Sequence, residues 1–133
     1  MPDMANITVK KDDGTTDVTY SVVTASGGDK SPAVWRDNGF GGTPGQRPEL
    51  RLASQPNGDG TGRKLVGSFT YPSLYTDTST GLTKVGTRAN FQFTAFMPAE
   101  MPDAFAAEFG AQIGNLLAAA LIEDCLTIGY APA

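Results

Sequence analysis

Two stretches of the chain alternate basic or polar side chains with apolar ones. In Lys84–Phe96, Val85, Ala89, Phe91, Phe93 and Ala95 stand at odd positions, while Lys84, Arg88, Asn90, Gln92 and Thr94 stand at even ones. In Arg63–Tyr71, Leu65, Phe69 and Tyr71 oppose Lys64, Ser68 and Thr70. Successive side chains leave opposite faces of a strand, so both stretches imply one apolar face and one basic, polar face. Each polar type has a use against nucleic acid. Lys and Arg neutralise phosphates, Asn and Gln hydrogen-bond base edges, and an Arg plane stacks on an unstacked RNA base. Lys64, Ser68, Arg88, Asn90 and Gln92 are therefore the candidate contacts, and simple alternation along Glu49–Ser54 adds Arg51. The solvated face of an ordinary antiparallel sheet carries the same pattern.

Other chemistry finds little material. The chain has no histidine, the commonest general base and metal ligand, and one cysteine, Cys125, so no intrachain disulfide or cysteine-rich metal site can be built. Asp12-Asp13 and Glu123-Asp124 are adjacent pairs that do not naturally converge on one bond. The glycine-rich Asn38–Gly45 lacks the Lys and Ser/Thr of a phosphate loop. No enzyme, metal or cofactor is expected.

Charge is unevenly distributed. Residues 1–29 carry Lys10 and Lys11 against five aspartates, residues 30–97 carry eight bases against four acids, and residues 98–133 carry five acids and no base. The overall net charge of −4 thus hides a basic middle between acidic flanks, which suits one basic face. The opening MPDMANITVKKDDG lacks the apolar core of a signal peptide, and no run approaches the ~20 apolar residues of a membrane span. A soluble protein made in a cytoplasm, with no membrane partner, is the expectation.

These residues must be held by strands. Asn6–Lys10 and Asp17–Val23 are β-branched and alternating, with an Asp-Gly turn between them, and predict an N-terminal hairpin within residues 1–25. Ala33–Asp37, Glu49–Ser54, Arg63–Tyr71 (stopping at Pro72) and Lys84–Phe96 predict a meander sheet over 33–96, with loops at Asn38–Pro48, Gln55–Gly62 and Ser73–Thr83. After Met97 the period changes. Phe105, Phe109, Ile113, Leu116, Leu117 and Ala120 form one apolar helical stripe, and Leu121–Ile128 continues as a second short helix, giving helices over 102–128. Such a tail needs the sheet or another subunit to cover it. The whole of 1–133 is expected to be one domain.

In order and spacing these segments resemble the coat proteins of single-stranded RNA bacteriophages, particularly the allolevivirus branch. Ser54–Pro56 (SQP), Arg63–Pro72 (RKLVGSFTYP) and Ala89–Phe93 (ANFQF) leading to Leu116–Tyr130 (LLAAALIEDCLTIGY) carry the likeness, which covers about residues 47–133 plus a looser hairpin match. The resemblance implies an α+β fold: an N-terminal hairpin, a five-stranded antiparallel meander sheet and two C-terminal helices. It also implies an interlocked dimer with one ten-stranded sheet, built into an icosahedral virion around genomic RNA. The inner sheet face would meet that RNA and, in some members, a translational operator hairpin. Counting back from Pro72, Lys64 and Ser68 fall on hairpin-contacting positions, Ser68 where the family usually has lysine. Asn90 falls on an Asn/Asp contact, with Gln92 two residues on, and Arg88 stands where a base-stacking Tyr is common. Aligning on SQP puts Leu50 and Leu52, rather than Arg51, on the RNA face. The Ser73–Thr83 loop lacks the cysteines that cross-link allolevivirus shells, so no disulfide network is expected, and Cys125 is expected in the core. The rival readings are a phage tail or decoration protein without RNA, and a cellular RNA-binding module.

Overall fold

The computed structural model describes residues 2–133, and every count below refers to them. Six strands form one antiparallel sheet in chain order: β1 (Ile7–Lys10), β2 (Asp17–Thr24), β3 (Ala33–Arg36), β4 (Glu49–Pro56), β5 (Gly62–Thr76) and β6 (Thr83–Pro98). Two helices follow, α1 (Asp103–Leu117) and α2 (Ala120–Ile128). The chain divides into a sheet unit, 1–96, and a helical unit, 97–133.

The expected hairpin is the beginning of the sheet. β1 pairs β2 with Ile7 opposite Tyr20, and β2 pairs β3 with Ser21 opposite Arg36, the register shifting between Val22 and Thr24. The shift marks a β-bulge, which bends the strand where the hairpin joins the meander. At the hairpin tip Gly14 has φ 72°, a left-handed value that glycine adopts freely. Asp13 beside it accepts backbone N–H groups from Thr15 (3.0 Å) and Thr16 (2.8 Å). With the Thr16 hydroxyl as the largest influence, followed by these N–H groups, its carboxyl falls to about 2. A depressed carboxyl stabilises the folded turn above its ordinary value of 3.8, and that contribution is lost as pH falls through about 2. Asp13 should therefore titrate near pH 2 by NMR, and Asp13→Asn should speed amide exchange at Thr15 and Thr16. A titration midpoint near 4 would show that the turn does not hold the carboxylate.

Beyond the hairpin there are four strands, not the expected five, and β5 does not stop at Pro72 but runs through it to Thr76. Proline lacks the donor a ladder needs, yet Pro72 is fully buried. One residue on, Ser73 takes over part of the pairing. Its hydroxyl accepts from the Thr87 backbone N–H (3.0 Å) and meets the Thr87 hydroxyl (3.0 Å). The expected loop 73–83 therefore shrinks to the turn between Thr76 and Thr83, where Asp77 accepts from Ser79 N–H and pairs with Lys84.

Most apolar packing of the sheet unit is on one face, while Val34, also buried, stands opposite Arg51 on the other. Tyr20, Trp35, Leu50, Leu52 and Phe69 lie on the first, as the registers Val22 to Trp35, Trp35 to Leu50 and Leu50 to Phe69 require. Tyr20 packs on Phe69 with ring centroids 5.8 Å apart, and Phe69 continues to Tyr71 and Phe40. Burial, reinforced by the Asp37 charge, pushes the Tyr20 phenol up to about 12, so it stays a neutral core group. Trp35 donates its indole N–H to Ala5 O (2.8 Å), tying the N-terminal segment to this face.

In the helical unit, α1 begins after Pro102 with Asp103 in its first turn, where the helix dipole favours a carboxylate. The helices meet at a 59° bend, and neither is long and apolar enough by itself to cross a membrane. No residue of either helix is buried. Phe105, Phe109, Ile113, Leu116, Leu117, Leu121, Leu126 and Ile128 are all exposed, as is Tyr130 beyond them. Cys125, expected in the core, is half-buried.

Candidate nucleic-acid interface

The other face of the sheet unit collects the predicted residues. In the β4–β5 ladder Arg51 stands opposite Ser68, Glu49 opposite Thr70, and Gln55 opposite Lys64. Residues directly opposite in a ladder share a face, so Arg51, Ser68 and Lys64 are together, while Leu50 and Leu52 lie on the apolar side with Phe69 and Gly67. This corrects the placement of Leu50 and Leu52 reached from SQP: alternation holds through Glu49–Ser54 and the β4–β5 ladder runs without a bulge.

β6 is the neighbour of β5 on its far side. Thr70 bonds the Asn90 side chain (3.2 Å) and Ser73 meets Thr87. The two contacts have one register, which sets Gln92 across from Ser68 and Arg88 across from Pro72. Burial agrees: Phe91, Phe93 and Ala95 are half-buried, and Asn90, Gln92 and Thr94 are exposed. All six candidates, Arg51, Lys64, Ser68, Arg88, Asn90 and Gln92, thus lie on one face of three adjacent strands. Lys64 is half-buried and makes no ion pair among the described residues.

Several members of this face escaped the sequence reading. Glu49 sits between Arg51, whose Nε donates to it at 2.5 Å, and Arg36, at 3.5 Å. It was visible in the alternation of Glu49 with Arg51, but its role depends on Arg36, which the β3–β4 register brings opposite it. Arg47 belongs to Asn38–Pro48, expected to be a loop. That segment contains a short 3₁₀ turn at Pro44–Gln46, pinned to β6 by Gln46 Nε2 donating to Thr83 O (2.8 Å) and Arg88 Nη2 donating to Gly45 O (3.1 Å). Gly41 permits the fold-back. It has φ 76°, and a side chain there would meet Gln46 O at 2.8 Å.

The arrangement offers guanidiniums, hydroxyls and amides to a ligand. No cluster of three His, Cys, Asp or Glu that could hold a metal exists among the described residues. The exposed guanidiniums and amides are the types that bind phosphate and base edges.

No protein-family model matches the sequence, and no curated protein matches it. Solved structures do match. The virus-like particle of Beihai levi-like virus 21 has a TM-score of 0.80 at 14% identity, covering 99% of each chain. That of bacteriophage NT-214 has a TM-score of 0.78 at 14% identity, over 99% of this chain and 100% of the other. The capsid protein of bacteriophage GA has a TM-score of 0.72 at 15% identity over 93% of each chain.

Proposed function

We propose, from the premise that the chain has the coat-protein fold of the single-stranded RNA phages, that it is a capsid subunit which pairs into dimers and builds a shell around single-stranded RNA. A structural rather than enzymatic role is what that fold implies. The observation that carries the reading is the agreement over nearly the whole chain with proteins solved as virus-like particles.

Two features support the dimer. β6 is the last strand of the sheet, so 16 residues present an edge with no neighbour. At ~3.3 Å per residue that edge is ~50 Å long, an open template for a second strand. The apolar stripes of α1 and α2 are likewise exposed. A second copy supplies partners for both: its β6 extends the sheet, and each copy's helices cover the other's apolar sheet face.

The polar face then lines the shell interior and contacts RNA. Arg51, Lys64 and Arg88 neutralise phosphates, Ser68 donates its hydroxyl, and Asn90 and Gln92 are the groups available to base edges. The acidic helical segment, with five acids and no base, is unsuited to RNA and belongs elsewhere in the shell.

Expression of the chain alone, followed by electron microscopy and size exclusion, tests this. Isometric particles with nuclease-protected RNA are expected. A stable small monomer without RNA would sink the reading. Lys64→Ala with Arg88→Ala should lower the packaged RNA and flatten the salt dependence of RNA binding, whereas unchanged RNA content would remove the polar face from the interface.

A further inference from the structure

One end of the polar face is a cleft of about 190 Å³ whose lining includes Arg47, Glu49, Arg51, Ser68, Thr70 and Arg88. Three of these side chains are guanidiniums, and none is aromatic. The single carboxylate, Glu49, is already engaged by Arg36 and Arg51. The guanidiniums are also held in place. Arg88 Nη2 donates to Gly45 O (3.1 Å), and Arg47 donates to Asn38 Oδ1 (3.2 Å) and to the carbonyls of Gly41 and Gly42 (both 3.5 Å). Each guanidinium has five N–H donors, so these anchors leave others free for a ligand. A bonded, planar fork loses less freedom on meeting a tetrahedral oxyanion than a loose side chain does.

We propose that this cleft binds a phosphodiester of the RNA backbone, with Arg47, Arg51 and Arg88 as its cations and the Ser68 and Thr70 hydroxyls as further donors. The inference deepens the RNA-binding reading above and depends on it. Single-strand binders stack bases on aromatic rings or on free guanidinium planes; this cleft has no aromatic ring, and its guanidiniums are tied by Gly45 O, Asn38 and Glu49. Arg88, committed to Gly45 O, is a phosphate contact and not a stacking plane. This end of the face therefore holds RNA without regard to sequence, and base selection, where it occurs, belongs to Asn90 and Gln92.

The test compares three probes on the full-length protein: a uridylate oligomer, an abasic ribose-phosphate oligomer of the same length, and polyglutamate. Binding is followed by fluorescence anisotropy from low to moderate salt. Arg88→Ala should weaken the uridylate and abasic oligomers by the same factor and reduce the salt slope of each by about 0.7, the value for one single-strand phosphate contact. Arg88→Lys should recover most of that slope. Arg47→Ala should act in the same direction, and Glu49→Gln should tighten both nucleic-acid probes. Loss confined to the uridylate oligomer, recovery by Arg88→Tyr but not Arg88→Lys, or polyglutamate competing as well as the abasic oligomer would each overturn the proposal. Normal RNA binding with slopes unmoved by Arg47 and Arg88 substitution would overturn it while leaving RNA packaging intact. Absence of binding by the unaltered protein would remove both.

Discussion

Phe109→Asp combined with Ile113→Asp should yield a folded, soluble protein that forms no particles. Phe109 and Ile113 are 38% and 46% exposed, and they sit mid-stripe on α1, one turn apart. Covering a half-exposed large side chain is worth about 1 kcal/mol, so the nine exposed apolar residues from Phe105 to Tyr130 offer on the order of 9 kcal/mol per chain to a partner. A dimer would bury two such stripes, about 18 kcal/mol against the 4–15 kcal/mol that association costs in lost freedom, so losing the centre of both stripes removes a large part of the surplus. Two aspartates at the centre remove two apolar contacts and place charges where no base of the helical unit can pair them. The isolated helix is less affected, since Asp in place of these residues changes intrinsic propensity by only a few tenths of a kcal/mol. Size exclusion with circular dichroism reads both effects. Ala107→Asp with Ala111→Asp adds the same charge on the far side of α1 from the stripe and should leave particles unchanged. Particles from the double variant would mean that the stripe is not an assembly surface.

Much of this was legible in the chain. The period-two alternation of β5 and β6 and the 3.6-residue period of α1 are local properties, and all three elements form where those periods are strongest. The polar face followed from the same alternation, which is why all six candidate residues share it. Two things were not legible. The continuation of β5 through Pro72 depends on Ser73 reaching Thr87, a residue on another strand, and nothing beside Pro72 announces it. The guanidinium cleft depends on a glycine-rich loop folding back so that Gly45 meets Arg88, 43 positions away. Glycine and proline mark such a loop as irregular without saying where it goes. Pairings across long sequence separations carried the missing information in both cases.

The second large effect concerns Gly67, which looks dispensable in a strand otherwise rich in larger residues. Glycine in a strand ordinarily weakens it, and alanine at a compatible position stabilises by about 0.4–1 kcal/mol. Here the sign should reverse. Gly67 is buried, a methyl group added there would overlap the edge of the Phe93 ring on β6 at its Cε1 and Cζ, and it would stand 2.9 Å from Leu52 Cδ2 on β4. The Phe93 ring therefore covers the bare backbone at Gly67 and closes the apolar face across three strands, an aromatic-over-glycine device that also fixes register. Gly67→Ala must displace that ring, and overpacking of this kind costs about 1–3 kcal/mol. For a chain of this length that amounts to a fall in Tm of several degrees. The ring belongs to the strand that sets Gln92 across from Ser68, so its displacement should also disturb the polar face and lower RNA affinity. Phe93→Leu, which vacates the space, should absorb the added methyl: Gly67→Ala should cost much less in the Phe93→Leu background than in the native one, a coupling measurable by thermal melts of the four proteins. Equal costs in the two backgrounds would show that the ring does not occupy the space above Gly67, and that β5 and β6 take their register from the Thr70–Asn90 and Ser73–Thr87 contacts alone.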